Sequence, residues 1–394
     1  MMSAPPKFAL FAYGFRPFFW AAGAYALLGL AAWLWIFSTG VLPLRNLPPQ
    51  FWHAHEMLYG FVGAAIGGFL LTAVPSWTGA RGFAGLPLVL VSSVWLAGRL
   101  AFAGASNLPF AMVAISELAF LPALVALVAP PLIRAGNRNT PLLFVLAAIW
   151  LTDAAFVYSM QRGDALIARH ALLIGIDIVL VLVTVIGGRI VPAFTASALR
   201  NRQLAVEIRS NPWADRITIG AMVAIVLVDL GAPWRPIAGA IAAIAAAGHA
   251  WRLIGWRGLR TLAEPLVWCL HLAYAWLPVG LAMKAVYLLT GAEWAAHWLH
   301  ALTIGTAASM ILSVMTRAAL GHTGRALRAA APIAVAYVLL ALAALVRVFA
   351  PTFLPADYRW TVLTAGALWI AAFALFLIVY TPILMRPRVD GKAG

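Results

Sequence analysis

Residues 170–188 read HALLIGIDIVLVLVTVIGG, and this stretch decides the fold class. After His170, the only carboxylate is Asp177, and the other positions hold aliphatic residues, glycine or threonine. A helix of this length crosses the hydrocarbon core of a bilayer, which is about 30 Å thick. Similar apolar runs recur along the chain. They predict twelve membrane-spanning helices at residues 17–38, 54–76, 86–103, 109–133, 141–159, 165–188, 216–231, 235–254, 264–289, 296–316, 330–350 and 360–384.

The composition of the whole chain supports this interpretation. Of the 394 residues, 64% are hydrophobic and 10% are charged, and the mean hydropathy is +0.94. Soluble globular domains contain about 25% charged residues. We therefore predict an all-α integral membrane protein, with a single polytopic membrane domain over residues 1–394. The longest predicted connection is a loop from Arg189 to Asp215. The first span lacks the cleavage site of a signal peptide, so we expect it to be retained.

Membrane topology explains the net charge of +15 better than nucleic-acid binding does. No basic run with interleaved aromatic residues marks a nucleic-acid surface, so we expect no nucleic-acid partner. With the N-terminus inside, nineteen Lys and Arg residues fall on the cytoplasmic side and seven on the opposite side. The positive-inside rule then places both termini in the cytoplasm. The remaining basic residue, Lys284, lies inside a span near its outer end, where we expect its ammonium group to snorkel to the interface.

A short motif recurs in three spans that are predicted to run from outside to inside. In each, a histidine at the outer entry is followed by a glycine five residues later: His55 and Gly60, His170 and Gly175, His300 and Gly305. Four helices separate each motif from the next, which predicts three four-helix units in a pseudo-threefold arrangement. Three histidines would then converge near the outer face. Chance similarity is the alternative, because glycine is frequent in membrane helices.

Histidines within or at the ends of spans are candidate ligands, because an unpaired imidazole is costly in a membrane. The outer group contains five: His53, His55, His170, His297 and His300. Their nitrogen ligands suit haem iron, copper or zinc. A histidine bonded to a backbone carbonyl or a lipid headgroup is the alternative for each. His53 and His55 are two residues apart and therefore point in different directions from one helix.

The inner group contains the pair His249 and His271, on adjacent antiparallel spans, and the loop residue His322. At similar depth, His249 and His271 would clamp a haem from two sides, or simply hydrogen-bond within the bundle. No Cys-x-x-Cys-His motif exists for covalent haem attachment, and the single cysteine, Cys269, excludes an internal disulfide.

Four carboxylates fall within the predicted spans: Glu117, Asp153, Asp177 and Asp229. Asp177 shares a helix face with His170. We consider Asp177 and Glu56 candidates for a proton route, with a protonated structural role as the alternative.

Several motifs, in order along nearly the whole chain, resemble the NnrS family of bacterial membrane proteins. The motifs are GFRPFF at 14–19, WHAHEM at 52–57, GFLLTAVPSWTG at 68–79, GGRIVPAFT at 187–195, LHLAYAW at 270–276, HALTIG at 300–305, MTR at 315–317 and LGHTGR at 320–325. The resemblance implies haem b and copper in the bacterial cytoplasmic (inner) membrane and a role in the response to nitric oxide. It assigns no ligand.

The distribution of the histidines between haem and copper is our own inference. We expect His55, His300, His249 and His271 to bind cofactor and His53, His170 and His297 to bind metal. The predicted topology also resembles haem-copper oxidases and nitric oxide reductases. It departs from them because the seventh span has no paired histidines and the tenth carries His-x-x-His.

Three functions are consistent with these patterns. The first is reduction or other consumption of nitric oxide at an outer haem, with electrons from quinol or a periplasmic protein. The second is binding of nitric oxide without turnover. The third is transport of copper, haem or an iron nitrosyl complex, although the chain shows no inverted two-half symmetry. In each case, membrane lipid and a small ligand are the expected partners.

Overall fold

A computed structural model describes residues 8–44, 46–204, 207–209, 211–231 and 234–392. Within these ranges the chain is helical and contains no strand, as predicted. The long helices are α1 (Phe15–Thr39), α2 (Pro49–Thr78), α3 (Leu86–Ala103), α4 (Phe110–Arg134), α5 (Leu142–Arg162), α6 (Ala165–Asn201), α7 (Pro212–Leu230), α8 (Arg235–Gly255), α9 (Pro265–Thr290), α10 (Glu293–His322), α11 (Ala331–Phe353) and α12 (Pro355–Met385). Their order and number confirm the prediction of an all-α membrane protein.

Eleven of these helices are long and apolar enough to cross a membrane. The exception is α7, in which Asp215, Arg216 and Asp229 lie within nineteen residues. The side of the membrane on which each terminus lies stays a prediction. Two of the basic residues counted for that prediction, Lys7 and Arg45, lie outside the described residues.

The predicted loop from Arg189 to Asp215 is wrong for its first half. α6 continues through Gly187, Gly188 and Pro192 to Asn201, and α7 begins at Pro212. Glycine and proline normally end helices in water, where exposed backbone groups bond to solvent. In an apolar environment a broken helix leaves these groups unpaired, so a helix there tolerates an internal proline.

Two helices contain a π-helical segment directly after a motif histidine. In α2, Pro49–His55 is α-helical and Glu56–Val62 is π-helical; in α10, Trp298–His300 is followed by a π-helix over Ala301–Ala308. Hydrogen bonds from residue i to i+5 widen a π turn, and such turns are frequent at functional sites. The third motif, in α6, is regular α-helix. Two of the three motifs therefore share a backbone feature that the sequence pattern does not show.

The chain forms two compact units. Unit 1 contains Met1–Gly175, Ala318–Ala326 and Phe373–Gly394, and unit 2 contains Ile176–Arg317 and Leu327–Ala372. Unit 1 thus holds His53, His55 and His170, and unit 2 holds His249, His271, His297 and His300. The pseudo-threefold arrangement of three four-helix units stays a prediction.

Candidate functional site

Unit 1 contains a buried group of five ionisable side chains, which we call the acid–histidine cluster. Its members are His55, Glu56, Arg99, Glu117 and Asp153, and each is between 0% and 4% exposed. They come from four consecutive helices, α2 to α5. Charged side chains are almost never fully buried unless they are paired with one another or bind a metal.

Close helix packing brings the members of the cluster together. Gly98 precedes Arg99 on α3, and a Cβ atom at Gly98 would lie 3.1 Å from the carbonyl oxygen of Ser116 on α4. A glycine at this contact lets the two backbones approach closely, as small residues do in membrane bundles. Arg99 and Glu117 consequently form an ion pair. On α2, the cluster residues His55 and Glu56 lie where the π-helical segment begins.

The hydrogen bonds of His55 define its orientation. Nδ1 lies 2.9 Å from Oε1 of Glu56, which also accepts a 2.5 Å hydrogen bond from Nη1 of Arg99. The second oxygen of Glu56 accepts a hydrogen bond from the Tyr25 hydroxyl. Because Arg99 and Tyr25 both donate to Glu56, its carboxyl is an acceptor, and Nδ1 of His55 carries the hydrogen in the contact between them. The free lone pair is therefore on Nε2 of His55.

The lone pair on Nε2 of His55 faces two further carboxyl groups. Nε2 lies 3.1 Å from Oδ1 of Asp153 and 3.7 Å from Oε1 of Glu117. One ligand atom from each of these three residues lies within 4.8 Å of the others. A lone pair and two carboxylate oxygens repel one another unless a cation or protons lie between them.

The net charge of the cluster also requires a cation or protons between these groups. Three carboxylates face one guanidinium group, so with a neutral His55 the ionised cluster has a charge of −2 (−3 + 1). An uncompensated charge buried in a low-dielectric interior costs several kcal/mol. A divalent ion beside His55, Glu117 and Asp153 would neutralise the cluster, and so would two protons.

The donor set fits a metal ion. Imidazole together with carboxylate oxygens binds divalent iron, copper, zinc and manganese. The hydrogen bond from Nδ1 of His55 to Glu56 is the outer contact that metal-binding histidines usually make. The ring of His55 stacks on Phe102, with centroids 3.9 Å apart, and lies 4.7 Å from Phe156. Aromatic rings cover the faces of the imidazole, and carboxyl groups lie beside both of its nitrogens. These contacts suit a metal ion. Haem binding by His55 stays a prediction.

In unit 2, His249 has a buried nitrogen that is free to bind a ligand. Its Nδ1 lies 2.7 Å from the hydroxyl of Tyr274, which also accepts a 2.8 Å hydrogen bond from Arg252. Its Nε2 has no hydrogen-bond partner among the described residues. The Tyr274 hydroxyl can donate or accept, so Nδ1 can carry the hydrogen and leave a lone pair on Nε2. His249 therefore offers a nitrogen of the type that binds haem iron, and its assignment to haem stays a prediction.

The ring of His271 contacts Trp256, which in turn contacts the ring of Tyr274. Trp256 lies 4.6 Å from the Tyr274 ring and 6.4 Å from the His271 ring, between ring centroids. Nε2 of His271 lies 2.7 Å from the Thr195 hydroxyl, which itself donates to a backbone carbonyl. The lone pair of His271 is consequently on Nδ1, which has no hydrogen-bond partner within the described ranges.

The backbone of a short turn lies against Nδ1 of His271. A Cβ atom built on Gly258 would lie 2.5 Å from this nitrogen. A large ligand that bound this nitrogen of His271 would therefore have to displace the backbone at Gly258.

The other predicted ligands lie in varied surroundings. The ring of His53 stacks on Trp33, with centroids 4.6 Å apart, and so points to a different neighbour from His55, as their spacing predicted. Nδ1 of His170 lies 3.0 Å from the carbonyl oxygen of Leu166. All of the outer histidines except His55 are half-buried: His53, His170, His297 and His300. Their assignments to metal or cofactor stay predictions.

The acid–histidine cluster was not predicted from the sequence. Arg99 was counted among the basic residues of the outer side, although it is only 4% exposed and pairs with Glu56 and Glu117. Glu117 and Asp153 were predicted to lie within spans but were not connected with His55. The sequence does contain one signal: Arg99 lies four residues before the end of an apolar run, where a charged side chain needs a partner inside the bundle.

Comparison with known proteins identifies a family. A family model described as NnrS protein matches residues 9–388, which is nearly the whole chain. No curated protein matches this chain. The matched range includes every member of the acid–histidine cluster and both inner histidines.

Proposed function

This chain belongs to the NnrS family, and on that premise we propose that it is a metal- and haem-containing membrane protein that binds nitric oxide in defence against nitrosative stress. The observation that supports this best is the acid–histidine cluster, where His55, Glu117 and Asp153 offer ligand atoms within 4.8 Å of one another. The proposed ion is copper or iron, since both accept imidazole and carboxylate ligands. Such an ion supplies a coordination position for nitric oxide and exchanges single electrons.

The protein side chains hold and shield this centre. Glu56 accepts the hydrogen from Nδ1 of His55 and thereby directs Nε2 toward Asp153 and Glu117. Arg99 and Tyr25 hold Glu56 in place through hydrogen bonds. Mutation of such supporting contacts typically lowers metal affinity 10–100-fold.

The packing around His55 favours a small, uncharged ligand. His55 is completely buried, and its ring contacts Phe102 and Phe156. Once a metal ion has neutralised the cluster, a charged or large ligand would lose its hydration here without gaining a further charged partner. Nitric oxide is small and uncharged, so it can pass between apolar side chains. The same burial favours a resident metal over a transported one, which needs an open path to water on both sides.

The proposed haem b lies in unit 2, where His249 would hold it through Nε2. Arg252 keeps Tyr274 beside Nδ1 of His249 by donating a 2.8 Å hydrogen bond to the hydroxyl. Arg252 is itself held by Asp215, at 2.7 Å. These contacts orient the imidazole before any ligand binds.

The first test measures the metal content of the purified, detergent-solubilised protein by elemental analysis, together with haem and nitric oxide difference spectra. We expect about one non-haem metal ion per chain in the wild type and a near-complete loss in His55→Ala and Asp153→Asn. Glu56→Gln should retain the ion but weaken its binding 10–100-fold. We expect His249→Ala to lose haem and to keep the non-haem metal.

His53→Ala is the matched comparison, because His53 lies two residues from His55 and its ring stacks on Trp33. It separates the cluster from the prediction that His53 itself binds metal: if the cluster holds the ion, His53→Ala keeps the full metal content. The proposal is wrong if well-folded wild-type protein holds no non-haem metal, or if His55→Ala and His53→Ala retain the same amount. Nitrous oxide production with a quinol donor would show that nitric oxide is reduced as well as bound.

A further inference from the structure

Unit 2 contains a second group of buried charges, which the proposed metal and haem sites do not use. Asp177 on α6, Asp229 on α7 and Lys284 on α9 have side chains that are 5%, 14% and 3% exposed. Nζ of Lys284 lies 2.5 Å from Oδ2 of Asp229 and 3.9 Å from Oδ1 of Asp177. It also lies 4.9 Å from the centre of the Trp298 ring. We call Asp177, Asp229 and Lys284 the aspartate–lysine triad.

The prediction that Lys284 reaches the membrane interface is wrong. Its ammonium group does not snorkel to the interface, because Lys284 is only 2% exposed and is paired with Asp229 inside unit 2. A buried ammonium group needs a carboxylate partner, and Asp229 supplies one.

No other described charge neutralises the triad. The neighbouring helix α8 carries Arg235, but that side chain is exposed and lies over the ring and backbone carbonyl of Tyr287. Trp298, from α10, contributes only its ring. Within the described part of unit 2, one cation therefore faces two carboxyl groups.

Both carboxyl groups lie beside the same ammonium group. Oδ2 of Asp229 is 2.5 Å and Oδ1 of Asp177 is 3.9 Å from Nζ of Lys284, so two ionised carboxylates here would share a single positive charge. Like charges this close disfavour each other, which favours a proton on one of the two carboxyl groups. With one proton, the triad contains one ammonium, one carboxylate and one carboxylic acid, and its net charge is zero. Without the proton, a charge of −1 would be buried, at a large cost.

We propose that the aspartate–lysine triad is a proton-binding site within the membrane-spanning part of unit 2, and that it holds one exchangeable proton between Asp177 and Asp229. Asp229 is the more exposed carboxyl group, so the proton enters and leaves through its oxygen. When the proton leaves, Lys284 is the one cation near both carboxylates among the described residues. Intramembrane carboxylates with this environment serve as proton relays in other membrane proteins.

Infrared spectroscopy of the full-length protein in H₂O and D₂O tests this inference, because the carbonyl stretch of a carboxylic acid differs from that of a carboxylate and shifts on deuteration. We expect the difference spectrum between wild type and Asp177→Asn to contain one carboxylic acid band, which shifts in D₂O. Asp229→Asn should also lack the band, since Asp177 then ionises to pair with Lys284.

Lys284→Met is expected to gain a carboxylic acid band, whereas the two aspartate variants lose one. Without the ammonium group both carboxyl groups must be neutral, so this variant should show a second carboxylic acid band. Asp357→Asn is the control, because Asp357 is exposed and its removal should leave the band unchanged. Size-exclusion profiles show whether each variant is folded.

The inference is overturned if wild type and Asp177→Asn have the same carboxylic acid bands, or if Lys284→Met adds none. The triad would then be a fixed ion network. A band that does not shift in D₂O would also contradict it, because the proton would not exchange. None of these outcomes depends on metal or haem, so the proposed function is tested separately.

Discussion

Arg99→Met is expected to lower the free energy of unfolding by about 3–5 kcal/mol, the typical cost of removing one partner from a buried ion pair. Arg99 is the only guanidinium among the described residues that pairs with Glu56 and Glu117. Its removal leaves three carboxyl groups around His55 with no permanent cation. Methionine keeps the volume and apolar stem of the side chain. The decrease in the free energy of unfolding would therefore come from the lost charge and hydrogen bonds and not from a cavity. Denaturation of the detergent-solubilised protein by SDS, followed by tryptophan fluorescence, measures the change.

Two comparisons make this prediction specific. Arg169→Met removes an exposed arginine from the same unit and should change the stability by less than about 0.5 kcal/mol. The double variant Arg99→Met/Glu117→Gln should recover part of the loss, because the unpaired carboxylate is gone as well. Equal stability of Arg99→Met and Arg169→Met would show that the cluster does not depend on its guanidinium group.

Gly188→Ala is expected to destabilise unit 2 by about 1–3 kcal/mol, the usual cost of overpacking. A Cβ atom at Gly188 would overlap the guanidinium group of Arg252. That group cannot move freely, because it is bonded to Asp215, the Tyr274 hydroxyl and the carbonyl of Thr184. Displacing it would also remove a hydrogen bond from the hydroxyl group that orients His249.

The adjacent glycine provides the control. A Cβ atom at Gly187 would lie 3.4 Å from the Tyr274 ring, an ordinary contact. Gly187→Ala should therefore be neutral or stabilise the helix by about 0.5–1 kcal/mol through lower backbone entropy in the unfolded chain. The two alanine variants should differ by about 1–4 kcal/mol in SDS denaturation. If they behave alike, Arg252 has more freedom than its contacts indicate. If haem binds at His249, its absorption spectrum should also change in Gly188→Ala and not in Gly187→Ala.

The helix ends show where sequence reasoning was limited. The GGRIVP stretch at 187–192 contains residues that usually end a helix, yet α6 continues to Asn201. The π-helical segments after His55 and His300 were not predicted from the sequence either, although both occur where a glycine follows the histidine by five residues. Local propensities describe an isolated backbone in water, whereas these segments form where neighbouring helices and an apolar solvent determine which hydrogen bonds are available.

The charged side chains were the least predictable. Arg99 and Lys284 lie near span ends in the sequence, where long basic side chains often reach water. In the structure both are buried and paired with carboxylates from other helices. His249 and His271 were predicted to lie at similar depth because consecutive antiparallel helices pack together. In the structure the His249 ring contacts Tyr274, the His271 ring contacts Trp256, and these two aromatic rings contact each other.

The amino-acid sequence by itself determined the membrane class, the twelve helices and the family of this protein. Each depends on local features, namely the length of an apolar run or the order of short motifs, which no packing arrangement changes. Only the tertiary structure decided that His55 meets Glu117 and Asp153, and that Asp177 meets Asp229 and Lys284. These contacts depend on the rotation and separation of neighbouring helices. Such features are set by a wide π turn or by a glycine such as Gly98 at a helix contact, and no local sequence signal encodes them.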